Sequence, residues 1–153
     1  MQCKSCFFIG HREAGTEILP TLEKAIEKHI SEYGVTEFIV GHYGGFDCLA
    51  ARAVISAKKC HPEVRLLMLI PYHPAERPIE TPPGFDGTFY PPGMESVPRR
   101  YAIVRANQYV IDHVDYLVAY AWHPASNASN IVEYAKKRER NGLINVTILK
   151  KQK

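Results

Sequence analysis

Long apolar runs are missing from this 153-residue chain: no stretch approaches the roughly 20 consecutive apolar residues that a membrane-spanning helix needs. A membrane is therefore not an expected partner. Cysteine is scarce, at four residues, and nothing at the N-terminus has the form of a signal peptide, because Met1 to Cys6 runs directly into the strand-like Phe7-Phe8-Ile9. These features predict reduced thiols and a cytoplasmic location rather than a disulfide scaffold. The spacing Cys3-x-x-Cys6 is one that metal sites also use, but zinc needs two more ligands. Cys48 and Cys60-His61 fall at opposite ends of one predicted helix, so no metal is expected. Excess charge is small too. The formal net charge is +3, and Lys150, Lys151 and Lys153 in the tail supply much of it, which argues against a nucleic-acid partner. The turn from Gly10 to Thr16 lacks the lysine of a phosphate loop and has Glu17 after the threonine, which excludes a Walker-type triphosphatase.

What is present is 46% hydrophobic and 23% charged residues, the balance of a globular protein. The length fits one domain, 1–153. The stretch from Phe38 to Ala51 organises the rest. A β-branched run stops at Gly41, Gly44 and Gly45 and restarts as an alanine-rich helical pattern, the form of a strand, a tight turn and a helix. Such a turn presents backbone N–H groups at a helix N-terminus, where a phosphate can sit. The plainer reading is a connection capped by Asp47, with the glycines providing tight geometry.

The same alternation continues along the chain. Strands are predicted at Cys6 to Ile9, Glu37 to Val40, Val64 to Ile70, Tyr116 to Tyr120 and Asn145 to Leu149. Helices are predicted from about Ile18 to Ile30 with Thr16 as cap, from Phe46 to about Lys59, from Arg99 to His113 and from Ile131 to Asn141. Strands alternating with helices imply right-handed crossovers and a parallel sheet between helix layers, an α/β three-layer sandwich. Residues 71–98 break the pattern. They hold eight of the eleven prolines together with Tyr72, Phe85, Phe89 and Tyr90. So aromatic a stretch reads as an ordered loop over one end of the sheet, serving as a ligand lid, a homo-oligomer contact or a structural excursion.

In an open parallel sheet, ligands bind beyond the carboxyl ends of the strands where strand order reverses. Three polar turns should meet there: Gly10-His11-Arg12, Gly41 to Asp47, and Trp122 to Asn130. Backbone N–H groups and Arg12 suit a phosphate, and Gly45 leaves it room. Ser126, Asn127 and Asn130 supply hydrogen bonds, and Trp122 or Tyr43 could stack on a base. His11, His42 and His123 each follow a strand and are placed for ligand contact or proton transfer. His29, His61 and His113 read as surface or helix-terminal residues. No Ser/His/Asp or Cys/His set can be picked out.

Cys6-Phe-Phe-Ile-Gly10-His11-Arg12, Gly41-x-x-Gly44-Gly45-Phe46-Asp47-x-x-Ala50-Ala51, and Arg105-x-Asn107 ahead of Asp115-Tyr-Leu-Val-Ala119 resemble the SLOG superfamily, in its YpsA-like branch, over nearly the whole chain. The resemblance implies a Rossmann-like fold with five strands in the order 3-2-1-4-5 and a site for a nucleotide or nucleotide-derived ligand, with no cofactor required. The superfamily also holds the lonely-guy phosphoribohydrolases and the DNA-processing protein A group. Lonely-guy enzymes carry Pro-Gly-Gly-x-Gly-Thr-x-x-Glu in the last strand-to-helix turn. Here Pro124-Ala-Ser-Asn-Ala-Ser129 has none of those glycines, and Val132 takes the place of the glutamate. Glu133 is one residue on, turned by about 100° on a helix. The expectation is thus a sensor or accessory protein that binds a nucleotide-derived small molecule. The alternative is a hydrolase of an N-glycosidic bond, with Arg105 and Glu133 as its catalytic pair.

Overall fold

The computed structural model describes residues 3–41, 44–121 and 126–150. Its centre is β1 (Lys4–Gly10), whose side chains are buried from Cys6 to Ile9 on both faces. Alternation along this strand divides the interior in two. Cys6 and Phe8 point into one core, with Ile18, with Leu22 and Ile26 of α1 (Leu19–Ser31), and with Phe46, Leu49 and Val54 of α2 (Gly45–Lys58). Phe7 and Ile9 point into the other, with Ala106, Val110 and Ile111 of α3 (Ala102–His113) and Ile131 and Ala135 of α4 (Asn127–Arg140). Helices thus cover both faces of the sheet, which is why the strand reads as an unbroken apolar run.

The remaining strands are β2 (Val35–Val40), β3 (Arg65–Leu69), β4 (Gly87–Phe89), β5 (Tyr116–Tyr120) and β6 (Asn145–Ile148). Every pairing is parallel, with Phe7 opposite Ile39 on one side and Leu117 on the other. The expectation of five strands in the order 3-2-1-4-5 is corrected to six, in the order β4-β3-β2-β1-β5-β6. The difference is β4, which comes out of the proline-rich segment and extends the sheet beyond β3. Three residues between prolines carry no period that could announce a strand. Tertiary partners hold it in place: Ile70 N–H donates to Phe89 O at 2.9 Å, and Leu66 N–H donates to Asp86 Oδ2 at 2.8 Å.

Much of residues 71–98 is exposed, but a few of its side chains anchor it to the body. Met94 is buried, and Tyr72, Phe89, Tyr90 and Val97 lie against the α3–α4 core. Two expectations about helix ends also change. Helix α4 begins at Asn127, one turn before the predicted Ile131, and α3 begins at Ala102 after a short 3₁₀ turn, Arg99–Tyr101. His29 is not a surface residue but 1% exposed, with its ring edge-on to Tyr33 and Tyr116. Among the described residues no helix is long and apolar enough to cross a membrane.

Candidate ligand-binding cleft

From β1 the chain steps outward through β2 and β3 to β4, then returns to place β5 on the other flank of β1. Strand order therefore reverses between β1 and β5, and at such a point the two crossovers diverge and leave a crevice at the carboxyl ends. A cleft of about 370 Å³ lies there. Gly10, His11 and Arg12 line it from the end of β1, Gly41 from the end of β2, and Leu69 and Pro71 from the end of β3. Asp47 of α2, Asn107 of α3, and Ser126 and Asn127 at the start of α4 add to its polar lining. Ile103, Val104, Ala106 and Ile131 form an apolar wall, with Val104 left 42% exposed at the mouth.

The glycine turn has a different task from the one expected of it. At the start of α2 the first two amides are already used: Gly45 N–H donates to Arg12 O at 2.8 Å and Phe46 N–H to His11 O at 3.3 Å. These bonds lock the β1–α1 and β2–α2 turns together. The glycines permit that approach. A Cβ on Gly45 would lie 2.6 Å from Ala14 O and 2.7 Å from Arg12 O, and one on Gly44, whose φ is +120°, would lie 2.8 Å from Arg12 Cα. A Cβ on Gly10 would run into the Phe46 ring at 2.2 Å. Gly44 and Gly45 do not line the cleft. The expected room for phosphate at Gly45 is filled by backbone of the neighbouring turn.

The start of α4 is built differently. Ser126 is the N-cap, its hydroxyl accepting from Ser129 N–H at 3.0 Å while its carbonyl accepts from Asn130 N–H at 3.0 Å. An N-cap of this kind satisfies the third amide and leaves the first two, those of Asn127 and Ala128, without an intrahelical acceptor. Among the described residues neither has another partner, and both residues line the cleft. The unspent first-turn amides expected at α2 are therefore found at α4 instead.

Two arginines line the same cleft. Arg12 was foreseen; Arg100 was not, because a cation next to Arg99 and Tyr101 in the lead-in to a helix has no distinguishing pattern. Among the described residues neither forms an ion pair with a carboxylate. His11 also lines the cleft and is 4% exposed, its N–H donating to Tyr120 O at 3.2 Å. Three expected site residues lie elsewhere. Arg105 and Asn130 are exposed on α3 and α4 and do not line the cleft. Glu133 is exposed and paired with Lys136 at 3.7 Å one turn on, while Val132 beside it is buried in the core. Trp122, with His42, Tyr43 and His123, lies outside the described residues.

Among the described residues no three His, Cys, Asp or Glu side chains gather to hold an ion. Cys6 is fully buried in the α1–α2 core, where burial pushes its thiol far above the ordinary range, and Cys3 is exposed. No protein-family model matches the chain. No curated protein matches it either.

Proposed function

We propose that the protein is a Rossmann-like domain of the SLOG type that binds a nucleotide-derived ligand in this cleft, as a sensor or accessory protein. One observation carries the reading. Asn127 and Ala128, whose amides have no partner among the described residues, line the same cleft as Arg12, Arg100 and the apolar side chains of Ile103, Val104 and Ile131. Helix amides and guanidinium groups are the donors that phosphate recruits, and an aliphatic wall accepts the face of a base. Asp47 supplies an acceptor for sugar hydroxyls from the β2 side.

The hydrolase alternative has less support, because among the described residues neither Arg105 nor Glu133 lines the cleft. A ligand bound there would meet Asp47 and Glu13 as its nearest carboxylate lining. The test is titration with nucleoside monophosphates, NAD and ADP-ribose, followed by analysis of the recovered ligand. Stoichiometric binding with the ligand returned intact is the expected result. Catalytic release of free base would replace the sensor reading by the enzymatic one, and no binding to any member of the panel would overturn both.

A further inference from the structure

Arg99 and Arg100 are consecutive but face different hollows. Both belong to the 3₁₀ turn that leads into α3, in which successive side chains stand about 120° apart. Arg100 lines the cleft, whereas Arg99 lines a second hollow of about 140 Å³ made by the proline-rich segment. There Arg99 Nε donates to Glu76 Oε1 at 2.6 Å, and Nη2 of the same guanidinium meets the same oxygen.

Glu76 is itself held. Its N–H and that of Arg77 donate to His73 O, both at 2.9 Å, and Ala75 N–H donates to His73 Nδ1 at 3.0 Å. The Tyr72 ring carries the guanidinium groups of Arg77 at 4.3 Å and Arg99 at 5.9 Å. Pro71, next in the chain, lines both hollows. A continuous frame thus runs from the cleft wall at Pro71, through the His73–Arg77 turn and the Glu76–Arg99 pair, back to the cleft at Arg100.

We propose, on the basis of the nucleotide-binding reading above, that Glu76 and Arg99 are positioning residues. Their ion pair anchors the start of α3 to the proline-rich segment, and this sets where Arg100 meets the anionic group of the ligand. A pair whose side chains are 58% and 48% exposed contributes little to global stability. Its consequence is local. Fixing Arg99 at both its guanidinium and its backbone restricts the neighbouring residue, and a preorganised cation loses less freedom when it binds phosphate.

The experiment compares AMP with adenosine, because only the first carries the group that Arg100 would meet. Affinities for both are measured in the parent, Glu76→Gln, Arg99→Ala, Arg100→Ala, and each of the first two combined with Arg100→Ala. In parallel, ¹⁵N relaxation at the Arg100 Nε–H is recorded in the free proteins. The expected result is a preference for AMP that Arg100→Ala reduces about tenfold and that Glu76→Gln and Arg99→Ala reduce several-fold, with no further loss in the combinations. Arg100 Nε–H should become more mobile in Glu76→Gln and Arg99→Ala, with melting temperatures unchanged. An AMP preference that survives Glu76→Gln and Arg99→Ala but falls in Arg100→Ala overturns the positioning role and leaves the binding site standing. Unchanged Arg100 mobility overturns it as well. A parent protein that shows no preference for AMP removes the premise and the positioning role together.

Discussion

A Cβ placed on Gly41 would lie 2.9 Å from Asp47 Oδ2, so the carboxylate occupies the space that any larger residue at 41 would claim. Asp47 is the third residue of α2, whose N-cap is Gly44, so it does not serve as the cap that the sequence suggested. Its charge still suits the first turn of a helix. The obstructing atom is the far end of a side chain, so Gly41→Ala should fold normally and push the carboxylate aside. The expected outcome is a thermal midpoint close to the parent and AMP affinity reduced about tenfold, equivalent to about 1.4 kcal/mol. Asp47→Asn should cost binding about 1.5–3 kcal/mol, the range for losing a hydrogen bond to a charged group. Adding Gly41→Ala to it should cost nothing more, and calorimetric titration of the three variants reads the result.

Gly45 should behave in the opposite way. The atoms that a Cβ would strike are the carbonyl oxygens of Arg12 and Ala14, backbone that cannot swing away, and the Gly45 N–H bond to Arg12 O fixes the approach. Gly45→Ala is expected to destabilise the fold by roughly 1–3 kcal/mol, the usual scale for forced overpacking. Denaturant titration measures this without ligand. A variant as stable as the parent would show that the two turns can separate.

The sequence was informative where burial is two-sided and periodic. Phe7, Phe8 and Ile9 belong to a strand covered on both faces, and Leu22, Ile26 and Ile30 lie on one helical stripe. It was less informative where structure depends on distant partners. Strand β4 rests on Ile70 and Leu66, and the early start of α4 rests on one Ser126 cap ahead of Asn127, Ser129 and Asn130, residues of low helix propensity. The described residues Arg12, Gly41, Asp47, Ser126 and Asn127, drawn from the three turns, share a cleft. Which helix keeps its amides unspent was not legible, because it turns on whether the carbonyls of residues 11 and 12 reach residues 45 and 46.

Acid should weaken the fold through His29. Its Nδ1–H donates to Ala25 O at 2.6 Å, and its buried Nε2 has no partner among the described residues. Burial lowers its pKa from the ordinary 6.5, with Lys28 contributing in the same direction against the Ala25 bond. The unfolded chain therefore binds the proton first as pH falls. The stability from neutral His29 is complete above about pH 6.5 and declines below it, by at most about 1.4 kcal/mol per pH unit. His29→Phe should flatten the fall in chemical-denaturation midpoint between pH 7 and pH 5.

Asp86 ties the proline-rich segment to the body of the protein. Its carboxylate accepts from Lys58 Nζ at 2.5 Å and from Leu66 N–H at 2.8 Å, and Lys58 also donates to Gly84 O at 3.0 Å. The Lys58 bond, followed by that from Leu66, holds the Asp86 carboxyl below its ordinary range. Its contribution is therefore present above the unfolded value near pH 4 and is lost as pH falls through the lowered one. The side chain is about a third exposed, so solvent screening keeps the expected loss in Asp86→Ala to about 1 kcal/mol. Proteolysis should show the local effect more clearly, with cleavage within residues 71–98 faster in the variant than in the parent.

The amide of Asn127 offers a test that leaves the helix intact. Asn127 is the first residue of α4, where proline is favoured because its φ is already helical and its missing N–H has no intrahelical acceptor. The residue before a proline must be extended, and Ser126 already is, with φ −82° and ψ 161°. Asn127→Pro therefore deletes one donor from the cleft while the Ser126–Ser129 cap remains. Stability should stay within about 0.5 kcal/mol of the parent, the scale of an ordinary surface substitution. Asn127→Ala, which removes the side chain but keeps the N–H, is the control. If the first-turn amides hold phosphate, the proline variant should lose about 1.5–3 kcal/mol of AMP binding beyond the alanine variant, with adenosine binding equal in the two. Equal AMP affinity for the two variants would place the phosphate away from α4 and leave Arg12 and Arg100 to hold it alone.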